Sequence, residues 1–367
     1  MKIFAALNER RLELEKQGKK IYNMSVGTPD FHTPDHIKKA LMEAAADDQN
    51  WRYSLRDLPE LLDAVCAYYK KRFHVEITPD MVMSVYGSQE GMGHLGMTLC
   101  DEGDVVLLPD PCYPVFAAGS KLGGAVPYYY PLVAEHDFLP YVKNIPEDVA
   151  RKARYMVVSL PSNPVGSIAT PGLYEEIVAF AKKYDILIIH DNAYSDIIFD
   201  GVEGGSFLAT PGAREVGVEF FSLSKSFNVT GARISFLIGN PEIISALKKL
   251  RSQIDFGMFL PIQKAAIAAL EGPLDSVKRN NADNTRHAVM LYATDLLPLA
   301  GRSQTAKELC SYGQSFRENA RNSMAFCMEL MEKSRCTSLL LAQALVLIGE
   351  GYGALRAGTS TRENQRG

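Results

Sequence analysis

The sequence predicts an α/β protein with two domains: a large one with a mostly parallel β-sheet between layers of helices, and a smaller α+β one. Two observations support this fold class. Short apolar runs alternate with helical patterns from about residue 36 to residue 270. Several of these runs end in polar loops, and sheets of this kind bind ligands beyond the carboxyl ends of their strands. We place the large domain at residues 36–275 and the small domain at residues 1–35 and 276–367.

The composition is that of an ordinary globular protein, with 47% hydrophobic and 22% charged residues. A net charge of −4 gives no electrostatic reason to expect a nucleic-acid or membrane partner. No apolar run has transmembrane length, and residues 1–19 predict a charged amphipathic helix rather than a signal peptide. The six cysteines lack Cys-x-x-Cys spacing and the seven histidines are scattered, so we expect a reducing cytoplasm and no metal site.

Two loops stand near the N-terminus. Residues 21–26 predict a short extended segment, and a turn follows from Gly27 to Asp30. This turn chemistry lets the backbone approach a ligand, and a plain turn is the alternative. Further on, Tyr53 precedes a predicted helix at residues 59–73.

Four apolar runs in the large domain each lead into a polar motif. The first, residues 81–86, predicts a strand that ends at Gly87, where a helix to about residue 99 begins with Ser88 and Gln89. The free N–H groups and the positive dipole end of a helix start bind anions. The other three runs, at residues 104–108, 155–160 and 186–190, lead respectively into loops that contain Tyr113, Asn163, and Asp191 with Tyr194.

Asp191 stands at the end of a buried strand. An unpaired buried charge is expensive, so this carboxylate needs a partner. A protonated pyridine nitrogen is such a partner, and the pair keeps the ring an electron sink. Asn163 and Tyr194 can both donate hydrogen bonds to a ligand at the same place. A turn or helix cap is the alternative role for Asp191.

A fifth short run, residues 219–221, is followed by Ser-Leu-Ser-Lys-Ser-Phe-Asn-Val-Thr-Gly-Ala-Arg, from Ser222 to Arg233. Lys225 lies between two hydroxyls, and a lysine can serve as a Schiff-base amine when desolvation or a nearby cation lowers its pKa. The hydroxyls of Ser222 and Ser224 and the guanidinium of Arg233 suit a phosphate. An ordinary surface lysine is the alternative.

In their order and spacing, these motifs resemble the cofactor site of the class I and II aminotransferases of fold type I, which use pyridoxal 5′-phosphate (PLP). The resemblance covers roughly residues 20–280 and implies a PLP-dependent transaminase. It implies that Lys225 binds the cofactor covalently and then shuttles a proton, that Asp191 holds the pyridinium, and that Tyr113 stacks on the ring. The implied ligands of the cofactor's oxygens are Ser88, Gln89, Asn163, Tyr194, Ser222, Ser224 and Arg233. Ser235 departs from the family, which usually has glycine there.

The resemblance also implies a homodimer in which each site is built from two subunits. Tyr53 would reach the phosphate of the other subunit's site, with a packing role as the alternative, and Gly27 would line the substrate pocket. Residues 22–31 and 109–115 look most like the LL-diaminopimelate aminotransferase branch. The expected amino donor is therefore LL-diaminopimelate, or else aspartate or alanine, and the expected acceptor is the keto acid 2-oxoglutarate.

Two other functions use the same cofactor residues. A PLP-dependent β-C–S lyase would release pyruvate from cystathionine without a keto-acid acceptor. A non-catalytic PLP-binding regulatory domain is the other alternative, and the lack of a basic DNA-binding segment ahead of the large domain argues against it. The presence of both Lys225 and Asp191 favours a catalytic function over a non-catalytic one.

The resemblance breaks near residue 284. Residues 284–318, 335–348 and 353–367 depart from the family, which has a Gly-Thr-x-Phe strand, a Pro-Gly-x-x-Phe-Gly loop and a final arginine for the substrate carboxylate. When each codon is begun at the third base of the previous one, four stretches can encode segments like the missing ones, in the family's order: residues 288–300, 303–316, 340–347 and 353–355. We therefore hypothesise compensating frameshifts, with a diverged domain as the alternative. The chain as printed would then have a poorly packed small domain and impaired catalysis.

Overall fold

The computed structural model describes residues 2–19, 22–23, 29, 31–163, 165–198, 202–279 and 336–337. The chain divides into two compact units, one of Thr28–Arg286 and one of Met1–Gly27 with His287–Gly367. In chain order the described strands are β1 (Tyr22–Asn23), β2 (Val82–Val85), β3 (Val105–Asp110), β4 (Val126–Pro131), β5 (Ala153–Ser159), β6 (Leu187–Asn192), β7 (Gly217–Ser222), β8 (Ser235–Gly239) and β9 (Cys336–Thr337).

Strands β2 to β8 form one seven-stranded sheet in the order β2-β8-β7-β6-β5-β3-β4. The pairs from β4 through to β7 are parallel, whereas β8 is antiparallel to both of its neighbours, β7 and β2. All of these strands except β8 therefore point the same way. Their carboxyl ends lie at one edge of the sheet, which is the edge where α/β proteins bind ligands. The predicted α/β fold class is confirmed.

Helices flank the strands in the order that the alternating pattern predicts. Pro59, Pro241 and Pro261 lie in the first turn of three of them, where the N–H groups have no partner within the helix and the loss of one costs no hydrogen bond. The described helices are α1 (Lys2–Lys16), α2 (Asp35–Ala45), α3 (Pro59–Phe73), α4 (Ser88–Leu99), α5 (Val115–Leu122), α6 (Glu147–Ala150), α7 (Leu173–Tyr184), α8 (Ala213–Val216), α9 (Leu223–Ser226), α10 (Pro241–Arg251), α11 (Leu260–Glu271) and α12 (Asp275–Arg279). None of the helices in the described part of the chain combines the length and apolarity that a bilayer crossing requires.

The sheet separates two apolar cores, and alternate residues of each strand enter opposite ones. On β7, Phe221 packs with Tyr69 and Phe207 in the larger core, whereas Phe220 packs with Val85 in the smaller one. The same alternation on β6 puts neighbouring residues on opposite faces of the sheet. The neighbouring polar residues His190 and Asp191 of β6 therefore lie on opposite faces of the sheet.

Several strand boundaries differ from the sequence pattern. The predicted strand 186–190 continues to Asn192, because Asp191 and Asn192 pair with Phe220 and Phe221 of β7. The predicted strand 104–108 continues through Asp110, which pairs with Pro131 of β4. Strand β4 itself lies at the edge of the sheet with a half-exposed surface, so its pattern resembles a loop more than a buried strand.

The second unit is described only in part. Helix α1 occupies the predicted helical stretch at residues 1–19. In the predicted extended segment, β1 pairs in parallel with β9, with Tyr22 opposite Cys336. Apart from Cys336 and Thr337, the segments that depart from the family lie outside the described residues, and so does Gly27.

Candidate active site

The polar motifs that the sequence singles out lie at one edge of the sheet. Gly87 and Ser88 follow β2, Tyr113 follows β3, and Ser222 ends β7. Asp191 is the next-to-last residue of β6. Because these strands point the same way, their carboxyl ends bring the motifs together.

The loop between β2 and α4 forms a cup with Arg233. Gly87 has a φ of +85°, which favours glycine, and a Cβ atom there would lie 2.2 Å from the Arg233 Nη2 atom, so a larger residue would also push the guanidinium out of the cup. The Arg233 guanidinium donates to the carbonyl oxygens of Thr230 at 3.0 Å and Tyr86 at 3.3 Å. At the first residue of α4, the Ser88 Oγ atom is buried without a hydrogen-bond partner among the described residues. A guanidinium, a helix start and an unpartnered hydroxyl together suit an anion.

An ion-pair group holds the start of α4 in place. Glu90 Oε2 accepts the Tyr86 backbone N–H at 3.0 Å. Beneath it, the buried Arg251 donates to the Ser84 carbonyl oxygen at 2.7 Å and pairs with Asp255 at 2.9 Å. His94 also lies 2.6 Å from Glu90, so Glu90, His94 and Asp255 form a cluster of metal-binding residue types. Because Arg251 forms ion pairs with both carboxylates of this cluster, at 3.5 Å to Glu90 and 2.9 Å to Asp255, we interpret the cluster as structural.

Lys225 lies in the short helix α9 that follows β7. Its side chain is half-buried, and its Nζ atom lies 5.8 Å from the centre of the Tyr194 ring. Burial, helped by the Arg233 charge, lowers the pKa of the Lys225 amine. The next residue, Ser226, donates to Asp196 at 2.6 Å, and this bond ties the lysine turn to the loop of Tyr194. The arrangement favours a more nucleophilic amine than an exposed lysine has.

The Asp191 carboxyl is buried. Its Oδ1 atom has no hydrogen-bond partner among the described residues. Burial raises the pKa of Asp191 to about 6, although the neighbouring His190 and the Ala193 backbone N–H favour the charged form. A cation or a strong donor at Oδ1 would stabilise the anionic form of this carboxyl.

A buried hydrogen-bond network lies beneath Asp191, and the sequence pattern did not predict it. His190 and Glu219 are opposite each other on β6 and β7, are fully buried, and lie 2.9 Å apart from Nδ1 to Oε2. Tyr69 and Ser206 donate to Glu219 Oε1 at 2.7 and 2.9 Å. These contacts lower the pKa of Glu219 despite its burial. The one available sequence signal was a glutamate inside an apolar run, at Glu219.

Two aromatic side chains line the same edge. The Tyr113 hydroxyl donates to Gln89 Oε1 at 3.3 Å, which brings two predicted site residues together. Burial, and to a lesser degree the Asp191 charge, raises the pKa of Tyr113. Burial likewise raises the pKa of Tyr194 to about 12. Asn163 lies in the half-exposed loop after β5, and no described hydrogen bond joins its side chain to the others.

The structure does not bring Tyr53 into this cluster. Its side chain is 80% exposed, and its ring packs on Phe256 at 4.9 Å between ring centres. Phe256 is in turn linked to the cup, because its carbonyl oxygen accepts the Tyr86 hydroxyl at 3.1 Å. Tyr53 therefore lies beside the site on an exposed surface. That surface, which we call the aromatic patch, consists of Trp51, Tyr53, Leu55, Ile254, Phe256 and Phe259.

A family sequence model and individual relatives both match this chain to aminotransferases. The sequence model of the family described as "Aminotransferase class I and II" matches residues 19–294. An LL-diaminopimelate aminotransferase of Dehalococcoides mccartyi strain 195 is 39% identical over 353 residues, which are 96% of this chain and 88% of the relative. One from Desulforudis audaxviator is 43% identical over 278 residues, which are 75% of this chain and 71% of the relative.

A solved structure has the same fold. The apo-BacF structure from Bacillus subtilis matches with a TM-score of 0.76 and 35% sequence identity. The match covers 79% of this chain and 74% of that one.

Proposed function

Since the chain belongs to the class I and II aminotransferases, a family of PLP-dependent transaminases, we propose that it moves an amino group from LL-diaminopimelate to 2-oxoglutarate. The observation that carries the proposal is the 36–43% identity to relatives named LL-diaminopimelate aminotransferase. Aspartate and alanine are the competing donors.

Three features of the chain support PLP as the bound cofactor. Among the described residues, the Asp191 Oδ1 atom has no hydrogen-bond partner and suits the pyridinium N–H, and the half-buried Lys225 suits a covalent attachment. The cup at Gly87 and Arg233 suits the phosphate, as does the Ser88 Oγ atom, which has no partner in the described part of the chain. Tyr113, Asn163 and Tyr194 would surround the ring, and Gln89, Ser222 and Ser224 would complete the set of ligands.

The proposed division of labour follows from the environments of two residues. PLP, when bound, supplies an electron sink for the bonds at the substrate Cα. Asp191 stays ionised beside a pyridinium, because the cation compensates the burial that raises its pKa. Lys225, with its lowered pKa, has a larger neutral fraction at neutral pH and can take a proton from Cα at Nζ and return it.

The substrate proposal is tested by a donor comparison. PLP-loaded protein is given LL-diaminopimelate, aspartate or alanine with 2-oxoglutarate, and the glutamate formed is measured. We expect kcat/KM to be highest for LL-diaminopimelate, and a tenfold preference for either of the other donors would contradict the proposal. Cystathionine without a keto acid is the control for β-C–S lyase activity, and pyruvate release as the fastest reaction would make the chain a lyase instead.

The aromatic patch supports a homodimer. Trp51, Tyr53 and Leu55 are 64%, 80% and 75% exposed, and a cluster of large apolar side chains at a surface marks an interaction site. A second copy of the chain placed there would bring its Tyr53 near the cup, which is the role that the resemblance implies. The Leu55 side chain would then be buried between the subunits.

We expect Leu55→Asp to convert a dimer into a monomer, because it places a charge in an apolar interface. The mass in solution, measured by light scattering, should fall from two chains to one. Leu122→Asp is the matched control, since Leu122 is 67% exposed but lies on α5, outside the patch. A monomeric wild type, or a dimer that Leu55→Asp leaves intact, would contradict the assignment.

We propose that compensating frameshifts explain the departure of the C-terminal segments from the family. The family match ends at residue 294, within the first departing segment, and both frameshifts and divergence would produce such an end. The test is the nucleotide sequence of the gene across residues 284–367. A gene that cannot encode the missing motifs in the shifted frame would make the C-terminus a genuine divergence.

We also propose a cytoplasmic location, supported by the free thiols of Cys66 and Cys100.

A further inference from the structure

Ser235 lies behind the phosphate cup, at the start of β8. It is fully buried, and it pairs with Ser222 of β7 on one side and with Val85 of β2 on the other. Both of these neighbouring strands lead into the cup. The Ser235 Oγ atom lies 2.9 Å from the Ser222 Oγ atom.

The direction of this hydrogen bond follows from the partners that each hydroxyl has. A hydroxyl donates one hydrogen and accepts up to two. Ser222 Oγ already accepts the backbone N–H of Ser224 at 3.2 Å. If Ser222 donated to Ser235, the Ser235 hydrogen would have no acceptor among the described residues in a fully buried position, which is costly. The bond therefore runs from Ser235 to Ser222.

This direction fixes what Ser222 can offer to a ligand. Its two acceptor positions are filled by Ser224 N–H and Ser235 O–H, so its remaining capacity is its own hydrogen. Ser222 ends β7 at the same sheet edge as the cup. A phosphate accepts hydrogen bonds only, so a hydroxyl held as a donor matches it.

We propose that Ser235 is a positioning residue for the phosphate: its buried hydroxyl donates to Ser222 Oγ and thereby commits Ser222 to donate to the cofactor's phosphate. The inference rests on the proposed function, because it takes PLP as the ligand. It concerns a position at which this chain departs from the glycine that is usual in the family, and glycine would leave the Ser222 hydroxyl free to turn.

The test compares two ligands that differ only in the phosphate. Dissociation constants of PLP and of pyridoxal are measured for the apoprotein by visible absorbance, for wild type, Ser235→Ala, Ser222→Ala and the double variant. For PLP we expect Ser235→Ala to raise the dissociation constant by about three- to tenfold, the range of one ordinary hydrogen bond, because the variant keeps the Ser222 hydroxyl and loses only its orientation. For pyridoxal we expect no change. In the Ser222→Ala background, Ser235→Ala should have no further effect.

Ser120→Ala is the matched control, because Ser120 is a fully buried serine that donates to the Ala117 carbonyl oxygen, away from the cup. It should leave both constants unchanged. An equal loss of PLP and pyridoxal affinity would make Ser235 a purely structural residue and overturn the inference. Unchanged PLP affinity, or additive effects in the double variant, would overturn it too. A wild type that retains neither ligand would instead contradict the proposed function, and the inference with it.

Discussion

Replacement of Lys225 by alanine is expected to abolish transamination and the covalent retention of PLP together. The half-buried Lys225 amine, with its pKa lowered by burial and by Arg233, is the proposed attachment point and the proton carrier at the substrate Cα. Loss of a nucleophile that is also the general base should lower kcat by about 10⁴-fold or more. The measurement is glutamate formation at saturating PLP, with the visible absorbance of the lysine-bound cofactor recorded on the same samples.

Two further lysine variants make this result specific. Lys225→Arg keeps the positive charge but loses the nucleophile, and it should be as inactive as Lys225→Ala. Lys248→Ala is the matched control, since burial also lowers the pKa of Lys248 but its side chain lies on α10. Normal activity is expected for this control. Transamination by Lys225→Ala within tenfold of wild type would refute the assignment.

Asp191→Asn is expected to impair catalysis and, at the same time, to stabilise the apoprotein. Without the carboxylate the pyridinium loses its partner, and the loss of one buried charge interaction should lower kcat by about 10²- to 10³-fold. The apoprotein gains stability because the variant no longer has to bury a carboxylate without a pyridinium partner. The folded apoprotein holds Asp191 buried, with its pKa raised to about 6, whereas an unfolded aspartate titrates at about 3.9.

The sign of the pH effect follows from these two values. Below about pH 4 the carboxyl is neutral in both states, and its burial costs no charge desolvation. As the pH rises through about 6, the folded state must bury an anion, so wild-type apoprotein loses up to about 3 kcal/mol of stability. Asparagine carries no charge at any pH. The excess stability of the Asp191→Asn apoprotein should therefore grow between pH 4 and pH 6 and stay constant above.

Urea unfolding of the apoproteins between pH 4.5 and pH 8 measures this difference. Asp185→Asn is the control, because Asp185 is exposed at the end of α7, where its left-handed φ of 57° also suits asparagine. It should change neither activity nor the pH profile. A stability difference for Asp191→Asn that is independent of pH would mean that Asp191 is not buried as an anion.

Much of the site was predictable because its residues follow strands in local motifs. The stretch from Ser222 to Arg233 and the turn at Gly87 carry their chemistry within a few residues, so the sequence identifies them without knowledge of the sheet. Strand β4 was not predictable, since its half-exposed edge position removes the apolar pattern of a buried strand. The exact end of β6 depended on pairing with β7, which local sequence does not encode.

The contacts beneath the site depend on residues far apart in the chain. Tyr69 and Glu219 are 150 positions apart and meet only because α3 packs on β7's face of the sheet. Ser235 could be recognised as a departure from the family, but its bond to Ser222 required the antiparallel register of β7 and β8. The roles of all the candidate site residues stay predictions, and those of Tyr53, Asn163 and Gly27 have the least support from the described contacts. Tyr53 needs a second subunit, Asn163 makes no described hydrogen bond, and Gly27 lies outside the described residues.

The central claim is that PLP is bound covalently at Lys225. Borohydride reduction of the PLP-loaded wild type, followed by proteolysis and mass spectrometry of the peptides, tests it most directly. We expect one phosphopyridoxyl group per chain, located on Lys225. Modification spread over surface lysines, or a single modification at another lysine, would contradict it.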